Sequence, residues 1–251
     1  MRLWGVEAQK RLQNSRVLVS GLTALGSELV KNLVLAGMGV TLHDSQAVTP
    51  AAIATQFFLS EEDIGKNRAE ACLPRVQELN PLVQVSSETK PLDELTDEFF
   101  KQFTVVCLIG AEQVTEFRLD TLCRSLGIAF YSARSFGFDG IIFADLGEHT
   151  FRRNAGYKSL KGMTKITDNQ EVEFIHYARE QFQANGLEED YLSPDELQAL
   201  LRVADADLVP ICAIVAGIMG QEVIKAISQK DEPICNFFCF DGVTGTVRRI
   251  G

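Results

Sequence analysis

Only three histidines occur in the chain, His43, His149 and His176, and none stands at ligand spacing from another. Of the six cysteines, Cys72, Cys107, Cys123, Cys212, Cys235 and Cys239, no two form a Cys-x-x-Cys pair. That spacing speaks against a zinc ribbon, and no metal site is expected. Most of the thiols sit inside apolar runs and read as reduced and buried. Cys107 in a strand and Cys123 on an apolar helix face are poor nucleophiles. Cys235 and Cys239 share one strand face and read as structural free thiols. The pattern suits a reducing compartment, nuclear or cytoplasmic. Excess positive charge is also missing. The net charge of −10 argues against nucleic acid and against an anionic membrane as partners. The most apolar stretch, 211–227, is interrupted by Gln221, Glu222 and Lys225, so it reads as a buried helix and not a membrane span. Residues 1–5 lead into a charged amphipathic helix, which is not the pattern of a signal peptide. Internal repeats and low-complexity segments are absent.

What is present is organised around residues 16–44. Residues 16–20 carry a β-branched and aliphatic run that predicts a strand buried on both faces. Gly21 follows where the chain leaves that strand, and Gly26 comes five residues later. From Ser27 the positions Leu29, Val30, Leu33, Val34 and Met38 keep helical spacing, with Gly37 and Gly39 as a stop. Residues 40–42 form a second strand ending in His43-Asp44. Strand, turn, helix and strand in this order begin a dinucleotide-type fold, its helix N-terminus aimed where a phosphate could sit. Asp44 lies close to the roughly 20 residues beyond the bend expected of a ribose-binding acid. The G-x-G-x-x-G fingerprint is damaged, because Thr23 occupies the middle glycine position and would crowd a pyrophosphate. The pattern therefore predicts a Rossmann-like unit with a partly closed pocket.

The rest of the chain predicts a helix over 6–13, a loop over 45–58 and a helix from about 65 to 79, stopped by Asn80-Pro81. A strand over 83–87, an amphipathic helix over 92–103, a strand over 104–109, a helix over 115–126 and a strand over 128–132 follow. This alternation demands a mostly parallel sheet with helices on both faces. Residues 135–147 break the rhythm with an antiparallel strand pair at the sheet edge. Loop is expected over 150–170, helices over 173–185 and 193–204, a buried helix over 210–228 and a closing hairpin from 236 to 250. At 251 residues one α/β domain is the natural count, with a loop and helical insertion at about 150–208.

Several stretches resemble the adenylation-domain family of ubiquitin-like activating enzymes, which includes MoeB and ThiF. They are Arg2-Leu3-Trp4-Gly5, Gln56-Phe57-Phe58-Leu59, Asp63-Ile64-Gly65-Lys66-Asn67-Arg68-Ala69-Glu70, Gly147-Glu148-His149, Pro210-Ile211-Cys212-Ala213 and Asn236 to Gly242. The resemblance runs from residue 2 to 242. Within the family, the start and the 210–213 segment look most like the smaller, non-catalytic subunit of the heterodimeric enzyme that serves SUMO. Residues 17–81 also look like the N-terminal half of a single-chain ubiquitin-activating enzyme, and the lack of a second half points to the separate subunit.

The resemblance implies a Rossmann-like adenylation fold of the ThiF/MoeB type. It also implies that the positions handling ATP have changed. Active members carry an arginine where this chain has Thr55, a second aspartate at Gln46, a lysine at Arg68 and a magnesium-binding aspartate at Ala111, with Glu112 beside it. Asp44 is retained. By the resemblance, then, no residue here is catalytic. A degenerate nucleotide pocket would be formed by Gly21, Gly26, Asp44, Lys66 and Arg68. Mg-ATP would sit in a catalytic partner subunit that carries out adenylation and thioester transfer on a ubiquitin-like modifier. Arg2, Trp4, Phe57, Phe58 and Ile218 are the interface candidates. The other readings are a self-sufficient MoeB- or ThiF-type homodimer and a nicotinamide oxidoreductase. The latter lacks a Tyr-x-x-x-Lys arrangement.

Overall fold

The computed structural model describes residues 6–147, 176, 178–180, 182–183, 188, 192–203, 206–229, 232–234 and 236–250. Nine residues of helix α1 (Val6–Asn14) lead into β1 (Arg16–Ser20). The glycine bend then opens α2 (Ala24–Leu35), and β2 (Gly39–His43) returns to the sheet. Helix α2 starts three residues before Ser27 because the Thr23 hydroxyl accepts from the Gly26 amide and caps it. The expected loop over 45–58 contains a short helix, α3 (Pro50–Thr55). Thr49 is its cap and Pro50 its first residue, so the Thr-Pro pair that looks like turn punctuation starts a helix here.

A 3₁₀ turn (Glu61–Asp63) precedes α4 (Arg68–Leu79), whose cap Asn67 accepts from the amides of Ala69 and Glu70. Strand β3 (Val85–Glu88) follows. The helix expected over 92–103 shrinks to α5 (Asp97–Phe100). Thr96 takes an extended conformation there, and Leu92 and Leu95 still reach the core from a turn. Next come β4 (Val105–Ile109), α6 (Gln113–Leu126), β5 (Ala129–Phe136) and β6 (Asp139–Asp145). After them stand α7 (Pro194–Val203), α8 (Val209–Ser228), β7 (Asn236–Asp241) and β8 (Thr246–Ile250). The loop expected over 150–170 and most of the helix expected over 173–185 lie outside the described residues.

One eight-stranded sheet runs in the order β3-β2-β1-β4-β5-β6-β7-β8. Its first five strands are parallel and its last three antiparallel. Alternation along the strands divides the apolar residues between two cores, one on each face. Val17, Val19, Cys107 and Tyr131 join α2, α4 and α8 on one face, while Leu18, Val106, Leu108 and Phe130 join α5 and α6 on the other.

Helix α8 is long and apolar enough to cross a membrane by length and composition. It packs instead on α2, β5 and β6 and buries Cys212, Val215, Met219 and Val223 completely. Its buried Glu222 accepts from the Ile234 amide at 2.6 Å and from Lys225 at 2.7 Å, while the Tyr131 hydroxyl donates to the Glu222 carbonyl. A buried carboxylate needs this many donors.

Candidate functional site

The strand order reverses between β2-β1 and β4, and the crevice at the carboxyl ends of these strands is where such sheets bind ligands. A cleft of about 460 Å³ lies there. Ser20, Gly21, His43, Asp44, Asp93, Ala111, Val114, Thr115 and Arg118 are among the residues that line it. Asp93, Thr115 and Arg118 carry no motif. Only the topology brings them to the cleft.

The bend explains its own glycines. A Cβ on Gly21, which has φ +92°, would stand 2.3 Å from the Ile109 carbonyl oxygen. A Cβ on Gly26 would stand 1.9 Å from the Gly21 carbonyl oxygen. Both contacts are backbone against backbone, so these glycines serve the tight turn and the helix–strand packing. The position that would admit a pyrophosphate is the middle one, and Thr23 fills it. Its hydroxyl already caps α2, and its carbonyl accepts from Ser27 Oγ at 2.8 Å. The fingerprint thus keeps the glycines that folding needs and lacks the one that a ligand needs.

Asp44 is 4% exposed and its carboxylate accepts three hydrogen bonds from within the fold. Oδ2 accepts from the Leu22 amide at 2.8 Å and from Arg68 Nη1 at 3.0 Å, while Oδ1 accepts from the Gln46 amide at 2.9 Å. The Asp44 carbonyl accepts from Asn67 Nδ2, which fastens the head of α4 beneath the same turn. Arg68 therefore neutralises Asp44 and is not directed as a free cation into the cleft. Lys66 departs from the expected grouping. It stands 3.0 Å from Asp63 Oδ1 and belongs to the cluster that ties the 3₁₀ turn to α4. Gly21, Gly26, Asp44 and Arg68 come together; Lys66 does not.

In that second cluster the Arg75 guanidinium, followed by the Lys66 ammonium, holds the Asp63 carboxyl well below the usual carboxylate range. Ser60 Oγ and the Ser60 amide donate to the same oxygen at 3.0 Å. A depressed folded-state value means stabilisation that is full above the unfolded value of about 3.9 and is lost progressively as the pH falls from there through the lower folded-state value. Asp63→Asn should cost about 1–2 kcal/mol at neutral pH. The gap from wild type should begin to narrow below about pH 4 and should still be present at pH 3, where the folded carboxylate stays ionised, as read from urea midpoints.

Two side chains to which the sequence assigned no role at the bend, Gln56 and His43, hold it in place. Gln56 is buried. Its Nε2 donates to the Leu22 carbonyl at 3.2 Å and to Cys72 Sγ at 3.0 Å, and its Oε1 accepts from the Phe58 amide. His43 lies between Ser20 Oγ and the Lys90 carbonyl, 2.8 Å from each. A carbonyl can only accept, so Nε2 carries the proton and Nδ1 accepts from Ser20. Both ring nitrogens are satisfied in the core. Burial also pushes the thiols up, Cys72 and Cys212 to about 11 and Cys123 to about 12, so none of these is a thiolate at neutral pH.

At the positions read as changed, Thr55 ends α3, Gln46 spends its amide on Asp44, and Ala111 lines the cleft with a methyl group where a carboxylate would hold a metal. Arg118 is the only lysine or arginine among the described lining residues, and it donates to the Leu92 carbonyl at 2.9 Å. The described residues hold no group of three metal-ligating side chains. Of the interface candidates, Arg2 and Trp4 lie outside the described residues. Phe58 is 4% exposed and belongs to the core, which corrects its reading as a contact for a partner. Half-exposed Phe57 stacks on Phe58 at 4.4 Å and carries the Lys31 ammonium over its ring at 5.3 Å. Ile218 is half-buried against the core, and its helix turns Val209 and Ile214 to solvent.

Fold and cleft together define a Rossmann-like α/β domain with a cleft at the point where its strand order reverses. The family model for ThiF matches residues 1–251, and the chain belongs to the ThiF family. SUMO-activating enzyme subunit 1 of Homo sapiens is 33% identical over 314 residues, covering 98% of this chain and 91% of that protein. Its counterpart from Danio rerio is 32% identical over 316 residues, with coverage of 98% and 91%. Among solved structures, E. coli MccB with MccA-N7isoASN superposes with a TM-score of 0.71 at 15% identity. That match covers 98% of this chain and 66% of the other, and it speaks to the fold alone.

Proposed function

We propose that this chain is the non-catalytic subunit of a heterodimeric activating enzyme for a ubiquitin-like modifier, SUMO foremost. A partner subunit would hold Mg-ATP and carry out adenylation and thioester transfer, in the nucleus or cytoplasm. The observation that carries this reading is the buried Asp44 carboxylate, whose charge is met by Arg68 and two backbone amides. Adenylation needs cations on the triphosphate and a carboxylate-held metal. Thr23, Thr55 and Ala111 supply neither. The relatives named as subunit 1 of the SUMO-activating enzyme favour this reading over a self-sufficient homodimer. Exposed Phe57, Val209 and Ile214 are the apolar side chains offered to the partner.

ATP–pyrophosphate exchange tests it directly. The purified chain with SUMO alone should give no exchange, and adding the catalytic subunit should raise exchange well above that subunit's own rate. Exchange by the isolated chain, or no gain from pairing, would overturn the reading.

A further inference from the structure

Among the described residues, strand β8 ends the sheet order and pairs on one side only, with β7, from Phe237↔Ile250 to Asp241↔Thr246. The pairing is regular over five residues, so the outer backbone N–H and C=O groups alternate along an edge with no strand beside it among the described residues. Thr246, Val247, Arg248 and Arg249 are exposed, and Val247 is a large apolar side chain left 47% accessible. Neither arginine side chain closes a salt bridge within 4 Å among the described residues, Arg248 acting on Asp241 of β7 only at longer range, although the chain carries a net charge of −10. An edge strand of this kind is a template for another strand. A second copy of the same edge would set arginines against arginines, which is destabilising. The charge that rejects a copy favours an acid.

We propose that β8 is a docking edge for an extended acidic segment of a partner polypeptide, which adds to the sheet as a ninth strand. Alternation puts Val247 and Arg249 on one face and Arg248 and Ile250 on the other. On the Ile250 face an aromatic row crosses the sheet, with Phe130 6.3 Å from Phe143 and Phe143 5.0 Å from Phe237, the register partner of Ile250. On the opposite face Val247 is registered to Phe240 and Arg249 to Phe238. A ninth strand extends both rows. It needs an apolar residue beside Val247, acids beside Arg248 and Arg249, and an apolar residue beside Ile250. The recognised pattern is therefore apolar-acidic-acidic-apolar, which reads the same in either direction and serves a parallel or an antiparallel addition. Main-chain hydrogen bonds supply the affinity and the side chains the choice.

The test uses the full chain, ¹⁵N-labelled, titrated with the capped peptide Thr-Ile-Glu-Glu-Val-Thr. Amide shifts should centre on β8 and β7. The double variant Arg248→Glu, Arg249→Glu should bind this peptide at least about tenfold more weakly and should instead accept Thr-Ile-Lys-Lys-Val-Thr. N-methylation of alternate peptide amides should abolish binding. Because the exchanged side chains are exposed, the switch in preference also shows that the variant is folded. Equal binding of a scrambled peptide of the same composition, shifts centred elsewhere, or no binding at millimolar peptide would each overturn the proposal.

Discussion

Gly26→Ala will lose more than about 4 kcal/mol of stability, at the far end of what single substitutions do. Propensity alone predicts the opposite sign, since alanine is favoured over glycine in a helix by about 1 kcal/mol. The new Cβ would stand 1.9 Å from the Gly21 carbonyl oxygen, and neither atom can move far. Gly21 donates its amide to the His43 carbonyl at 2.9 Å, and its own α-carbon faces the Ile109 carbonyl across β4. Helix α2 would have to lift off the bend, opening the core around Leu25, Leu29 and Val30, each no more than 1% exposed. Urea unfolding followed by circular dichroism reads the loss. Gly65→Ala is the control: its φ of +83° is strained for alanine, but no atom lies within 4 Å of the added carbon. It should cost only about 1 kcal/mol. If the two variants cost the same, the close approach at Gly26 does not explain its glycine.

This pair also shows what was legible in the sequence. The strand, bend and helix over residues 16–44 announce themselves because glycine placement and apolar spacing are local. The parallel sheet follows from the alternation of elements, and the antiparallel edge from the glycines around residues 137–147. Helix α3 stayed hidden because it buries no residue and so shows no periodicity. The overlong helix at 92–103 is a case of helical spacing met by a turn, since Leu92 and Leu95 need only face the core. The site was legible as a list of residues and not as a set of bonds. Asp44 and Arg68 are each visible in the sequence, yet their pairing spans two elements and depends on Asn67 fixing the head of α4. Lys66 stands two residues from Arg68, and capping of the 3₁₀ turn directs it to Asp63 instead. The Ser20–His43–Lys90 arrangement joins three separate segments, and no local pattern foretells it.

The pairing at Asp44 leads to the second large effect. Asp44→Ala should cost about 3–5 kcal/mol, the range for breaking a buried ion pair by removing one partner. Three donors lose their acceptor at once: the Leu22 amide, the Gln46 amide and Arg68 Nη1. The stranded guanidinium is only 15% exposed, and its Nε already lacks a partner among the described residues. Arg68→Ala should cost less, because the carboxylate keeps both amides and the lining of an open cleft. The cycle built from Asp44→Asn and Arg68→Gln isolates what the two side chains do for each other, with an expected coupling of about 1–3 kcal/mol. Both partners are largely shielded from solvent, so that coupling should survive molar salt, which screens exposed pairs. A coupling near zero would mean that Arg68 leaves the carboxylate free to hold a ribose. The main physical reason for placing ATP in the partner subunit would then be gone, even though the fold and the family would stand.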